Sequence, residues 1–434
     1  MARFSDAEFL RQDEQKLILG AVYTCTEEII KMKKKVSAYW KAIIILVTLT
    51  VILGLSTFST EFCDWYADNV YGIICDAVSH VTGLLPFALG EILMYIGILF
   101  VIFSVVFLIF LIFLHKKKGY RKFCASYFKT FLMLMVCLVF VYMPSWFIPF
   151  RGSVLGKGEN TQRTEFSLDE IRTLLQYAAD GVNKAAEEID INADGTVTFP
   201  PKSETYRKTV DAMNELSSEY SRLKGYYPPV KTALCSDILD RMYIGGYNYP
   251  FTMEPTHSKY LAPDWEILLD AHEYAHHKGY YKENEANFLS QLALSRSEDP
   301  FLRIGAFSDM YYYLLDSYTI TTDKLWGEML ESGKLDAEKV NKMKAKERWK
   351  LSIEIFGETP ELCDKYFQIT EAASAIEKEI YEADSHPIDN MPAVNEAIEE
   401  TADVGWETQG NILKENTYDG VTLLLLQYFE GKLY

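Results

Sequence analysis

No lysine or arginine occurs between Ala42 and His115, and inside that window lie two long apolar runs. The second, Leu93–Leu114, is 22 residues interrupted only by Tyr95, Gly97 and Ser104. At ~1.5 Å per residue it is long enough to cross a ~30 Å hydrocarbon core. The first extends from Ala42 to about Phe58. A third, Phe131 to Phe150, contains Pro144 and Pro149 and lies between Lys129 and Arg151. Helices buried in a soluble core are rarely apolar on every face for this length. Three transmembrane helices are therefore expected, at about 42–58, 93–114 and 131–150. Forty mostly polar residues ahead of the first run argue against a cleaved signal peptide.

Basic residues set the expected orientation. Lys31, Lys33, Lys34, Lys35 and Lys41 precede the first span, and Lys116, Lys117, Lys118, Arg121, Lys122 and Lys129 follow the second. The segment between these two spans has Glu61, Asp64, Asp68 and Asp76 and no basic residue. Basic loops stay in the cytoplasm. Residues 1–41 are thus expected to be a cytoplasmic segment, 42–150 a membrane domain in the lipid bilayer of the plasma membrane, 151–165 a linker and 166–434 an extracytoplasmic domain. Charge changes along the chain as well: residues 1–150 carry 14 basic and 11 acidic side chains, the remainder 29 and 50. An acidic soluble part excludes a nucleic-acid partner. Cys25 and Cys124 would be cytoplasmic and Cys137 would lie in the third span. Of the outer Cys63, Cys75, Cys235 and Cys363, the first two can form a disulfide or remain free thiols.

Beyond the linker the pattern is helical. Ser167 and Glu170 form a capping box ahead of a stripe of Leu168, Ile171, Leu174, Leu175, Ala178 and Val182. A strand fragment is expected at 196–199, a helix around 206–223 with Val210, Met213, Tyr220 and Leu223 inward, irregular chain or short strand over 228–251, and helix almost throughout from Asp264. The fold class is mainly α.

Within the helix that starts at Pro263 and Asp264, and ends with Lys278 and Gly279 at its C-terminal boundary, lies His272-Glu273-x-x-His276. Histidines four apart project from one face and can reach one metal ion. Glu273 lies ~100° round the helix, placed to take a proton from water without being a ligand. A turn at Gly279 would fold the next helix back and bring in an acidic third ligand, leaving one position open as in a catalytic zinc site. Glu283 shares its face with Ala286, Asn287 and Ser290, small residues that permit close approach, and Asn287 can orient a ligand. Glu285 is the alternative third ligand, on the stripe of Phe288, Leu289 and Leu292. His277 is read as a surface residue.

These stretches carry a resemblance. Leu84-Leu-Pro-Phe-Ala-Leu-Gly-Glu91, Pro250-Phe-Thr-Met-Glu254, His272 to Phe288, Asp299-Pro-Phe-Leu-Arg303 and Asn411-Ile-Leu-Lys414 to Leu426 resemble a bacterial domain-of-unknown-function family of membrane-anchored zincin-like proteins. More distantly, Glu283-x-x-x-Asn287 is similar to the Glu-x-x-x-Asp element of gluzincin-type membrane zinc peptidases, with Asn in place of Asp. The resemblance implies a zincin-like helical domain and supports Glu283 as third ligand. The expected function is a zinc-dependent metallopeptidase acting on a peptide or protein substrate, with Glu273 as general base and Zn2+ held by His272, His276 and Glu283. Tyr311 to Tyr313 and the Tyr-rich stretch before the zinc helix are candidate oxyanion donors. The alternative is a non-catalytic, zinc-stabilised extracytoplasmic sensor or receptor. A structural site, however, has no use for Glu273 and commonly adds cysteine ligands.

Overall fold

The computed structural model describes residues 37–155, 163–392, 394–398 and 420–434. Lys31, Lys33, Lys34, Lys35 and Cys25, residues 156–162 of the linker and Asn411–Lys414 lie outside them. The chain divides into two compact units, Met1–Leu49 and Thr50–Tyr434. The described part of the first is the start of helix α1, Ala38–Ser56.

Three helices are long and apolar enough to span a bilayer: α1, α4 (Leu89–Leu114) and the run Lys118–Phe150, whose regular part is α5, Lys118–Tyr142. The chain is a multi-pass membrane protein. The third helix begins well before the apolar run, because Lys118, Arg121, Lys122 and Lys129 are good helix formers that need not enter lipid. Between the first two spans, where the sequence pattern is mixed, the chain forms α2 (Thr60–Tyr66), a π-turn over Ala67–Tyr71 and α3 (Gly72–Thr82). Cys63 and Cys75 are buried on these helices as free thiols.

The remainder is mostly helical. Helix α6, Leu168–Glu188, starts at the capping box, where the Glu170 backbone N–H donates to the Ser167 hydroxyl and the Ser167 N–H to the Glu170 carboxylate. Ile171, Leu174, Leu175, Ala178 and Val182 are fully buried and pack with α8 (Pro263–His277), α9 (Glu283–Ser295), α10 (Pro300–Glu331) and the C-terminal α12 (Gly420–Phe429) in one core. Helix α7 covers only Lys202–Leu216. The chain then turns, so that Leu223 re-enters the core from a short 3₁₀ segment rather than from a helix continuing to 223. The expected strand at 196–199 reduces to one bridge between Ile191 and Val197, because among the described residues no second strand lies alongside it. Helix α11, Asp364–Glu382, lends Tyr366 and Ile369 to the core.

One small sheet faces α8. Its order is β1 (Lys231–Thr232), β3 (Glu254–His257), β2 (Gly246–Tyr249), with β1 parallel and β2 antiparallel to the central strand. The Glu254 carboxylate accepts from the N–H groups of Leu89 (3.1 Å) and Gly90 (2.8 Å) at the start of α4, satisfying donors that a helix N-terminus leaves open. Lys231 pairs with Glu254 and donates to the carbonyls of Thr82 (2.8 Å) and Phe87 (2.9 Å). Glu91, fully buried, accepts from the N–H groups of Leu234 and Cys235. Thus the sheet is clamped to the start of a membrane-spanning helix.

Candidate metal centre

Helix α8 begins with Pro263 at its first turn and ends at Lys278, followed by Gly279 at φ +90°. A glycine there lets the chain reverse after His277 at no steric cost, and a Cβ would stand 3.1 Å from the Tyr71 ring. The reversal brings α9 back so that His272, His276 and Glu283 each offer a ligand atom within 4.8 Å of one another. Glu283 lies 3.3 Å from His272 Nε2 and 3.6 Å from His276 Nε2.

The other ring nitrogens are engaged. His272 Nδ1 donates to Asn287 Oδ1 (2.6 Å), and Asn287 in turn donates to the Tyr313 hydroxyl (2.9 Å). His276 Nδ1 donates to the Tyr280 carbonyl (2.7 Å). These bonds orient both rings and leave both Nε2 atoms directed at Glu283. Two imidazole nitrogens and one carboxylate converging on a point suit a divalent cation of zinc type. Though burial raises the Glu283 carboxyl, the two imidazoles hold it well below the carboxylate range. Burial opposes charge on His276, yet Glu283 holds that ring up to about 9.

Glu285 is elsewhere. It is buried, accepts from the Leu155 N–H at 2.8 Å and lies 4.0 Å from Lys282, so it ties the linker to α9.

Glu273 is 2 % exposed, and its Oε2 has no hydrogen-bond partner among the described residues. Burial pushes its carboxyl up to about 8, with Glu283 and Asp270 adding to the shift and His276 opposing it. Room for it comes from the edge strand. A Cβ at Gly246 would lie 2.9 Å from Glu273 Oε1 and 2.7 Å from the Thr256 carbonyl.

His277 is fully buried, contrary to its reading as a surface residue. Its ring lies 3.4 Å from Cys75 Sγ, and burial together with the Lys278 charge lowers its pKa to about 3. One position along, Lys278 is also buried, donating to Asp76 (2.9 Å) and the Tyr226 carbonyl (2.8 Å). Both residues are covered by α3 and its approaches, more than 190 positions away, which helical periodicity cannot reveal. Of the candidate oxyanion donors, Tyr311 donates to the Pro360 carbonyl and Tyr313 accepts from Asn287, while Tyr247, in the Tyr-rich stretch before α8, has a buried hydroxyl with no hydrogen-bond partner among the described residues.

The sequence reading missed a second cluster, His257, Glu266 and Asp270. His257 Nδ1 donates to Asp270 at 2.8 Å, and the Lys202 ammonium lies 2.7 Å from Glu266. Here a lysine already supplies the positive charge. Glu266 and Asp270 are visible as an i, i+4 pair on α8, but their histidine arrives from β3.

Residues 66–354 match the model of a family described as protein of unknown function, DUF3810. No curated protein and no solved structure matches the chain.

Proposed function

The chain belongs to the DUF3810 family, and from that premise and the chemistry of the site we propose that it is a membrane-anchored, zinc-dependent metallopeptidase with a zincin-like helical domain outside the cytoplasm. The observation that carries this reading is Glu273. Burying a carboxyl oxygen without a hydrogen-bond partner, as Oε2 of Glu273 is among the described residues, costs free energy, and such groups are retained where chemistry uses them. This one stands one residue from His272 and three from His276, against a glycine that leaves it space. A site that only held a domain together would gain nothing from it.

His272, His276 and Glu283 would hold the ion. When bound, zinc supplies Lewis acidity, polarising a carbonyl and acidifying water. The chain's own groups do the rest. Asn287 and the Tyr280 carbonyl keep both imidazoles oriented, so the ligand set is organised before substrate arrives. Glu273 takes a proton from the attacking water and returns it to the departing amine, a role suited to a carboxyl raised toward neutrality. The outer side of β2, an edge strand of the sheet next to Glu273, would offer main-chain groups to an extended peptide.

Glu273→Gln is the test. It is nearly isosteric and removes only the base, so zinc content and melting temperature should stay close to wild type while cleavage of a broad peptide library falls by ~10² to 10⁴-fold or more. Equal cleavage by both proteins would exclude the mechanism. Cleavage by neither, with zinc firmly bound, would favour the sensor.

A further inference from the structure

Pro149, near the end of the third span, has no N–H to give to the carbonyls a turn before it. In that turn the Ser145 carbonyl, four residues before Pro149, accepts from the Tyr281 hydroxyl (2.7 Å), and the neighbouring Pro144 carbonyl accepts from the Tyr66 hydroxyl (3.0 Å). In a membrane-spanning helix an unpaired carbonyl is costly, so these tyrosines complete the span. Tyr281 is also part of the metal centre's surroundings. It follows the turn after α8, its ring lies nearly parallel to that of His276 with centroids 6.3 Å apart, and Trp146 of the span packs on it at 5.8 Å.

This contact sets the depth of the metal centre. Thr130 to Phe150 is free of charge, and its ~21 residues measure ~31 Å as helix, about one hydrocarbon thickness. Ser145 is five residues from the end of that stretch, so it lies ~7 Å inside the apolar boundary. His276, one tyrosine away, therefore stands at the level of the lipid head groups. Helices α2 and α3 fit this placement. They join two spans and leave Trp65, Ile73, Val81 and Leu84 more than half exposed, while Asp64, Asp68 and Asp76 of the same segment hold Arg222 and Lys278. Lipid is the medium that covers such a stripe between two spans.

We infer that the site takes membrane-anchored polypeptides and cuts them within the first few residues beyond their membrane-spanning segment, on the face where the third span ends. The inference rests on the peptidase reading and adds the substrate class. An extended chain rises ~3.3 Å per residue, so a centre in the head-group layer, ~5 to 8 Å from the hydrocarbon at most, meets a tethered substrate about two residues from its anchor. Tethering also raises the local concentration of the scissile segment.

The full chain, loaded with zinc in phosphatidylcholine and phosphatidylglycerol vesicles, is given one degenerate peptide segment in two forms. In one form the segment is joined to a polyleucine membrane helix by spacers of about 3, 10 and 30 residues; in the other it is detached. Cleavage of the shortest-spacer form at least tenfold faster than the detached form, falling as the spacer lengthens, is expected. Equal rates for anchored and detached peptide, or rates independent of spacer, overturn the inference. A second measurement reads depth without turnover: Cu2+ bound to the full chain should relax nitroxides on lipid head groups in pulsed EPR, and His272→Ala should abolish the effect. No relaxation overturns the inference as well. Relaxation with neither peptide cut overturns the peptidase reading itself, and the substrate class with it.

Discussion

Glu283 and Glu285 stand two residues apart on α9, and ~200° of helical rotation sends one carboxylate to two imidazoles and the other to the linker. Their substitutions should separate accordingly. Glu283→Gln should lose most bound zinc, as should His272→Ala or His276→Ala, when metal content is measured on purified protein. Glu285→Ala should keep the zinc and lower stability by ~1 to 3 kcal/mol in a melting experiment, because the Leu155 N–H loses its acceptor. Zinc loss in Glu285→Ala alone would reverse the assignment. Gly246→Ala tests the space around the base. Its Cβ would crowd Glu273 Oε1 and the Thr256 carbonyl, so hydrolysis should fall with zinc retained, at a stability cost of ~1 to 3 kcal/mol. Unchanged turnover would mean that Glu273 does not need its present position.

Among the elements, α6 was legible in detail because its signals are local: a capping box, then an apolar stripe of helical period. Ser167→Ala should cost ~1 kcal/mol. Glu170 makes the same cap pH-dependent. The Arg163 guanidinium and the Ser167 donors bring its carboxyl down from 4.5 to about 2. A carboxyl depressed by folding stabilises the folded state above its unfolded pKa. Compared with Glu170→Gln, the wild type should therefore show its full advantage at neutral pH and lose it as pH falls from about 4.5 toward about 2, in melting curves of the two proteins. An advantage that grew with acidity would contradict the pairing. The sheet was far less legible. Strands of two to four residues carry no periodicity, and β1 and β3 are paired across more than 20 residues of sequence.

For the whole molecule, six basic residues between the second and third spans against none between the first and second predict that residues 152 to 434 lie outside the cytoplasm. Protease added to spheroplasts should digest this part; its protection, alongside digestion of a known outer protein, would invert the topology. The membrane spans and the helix carrying His272, Glu273 and His276 are consequences of sequence alone, because hydropathy, helical phase and capping act within one or two turns. Other features come from segments far apart in the chain. Glu254 and Glu91 tie the sheet to α4, α3 buries His277 and Lys278, β3 brings His257 to Asp270, and Pro149 leaves a carbonyl that Tyr281 fills. Each of these joins a polar group that its own helix or strand leaves unsatisfied to a partner that only packing can deliver, and local pattern records the need but not who meets it.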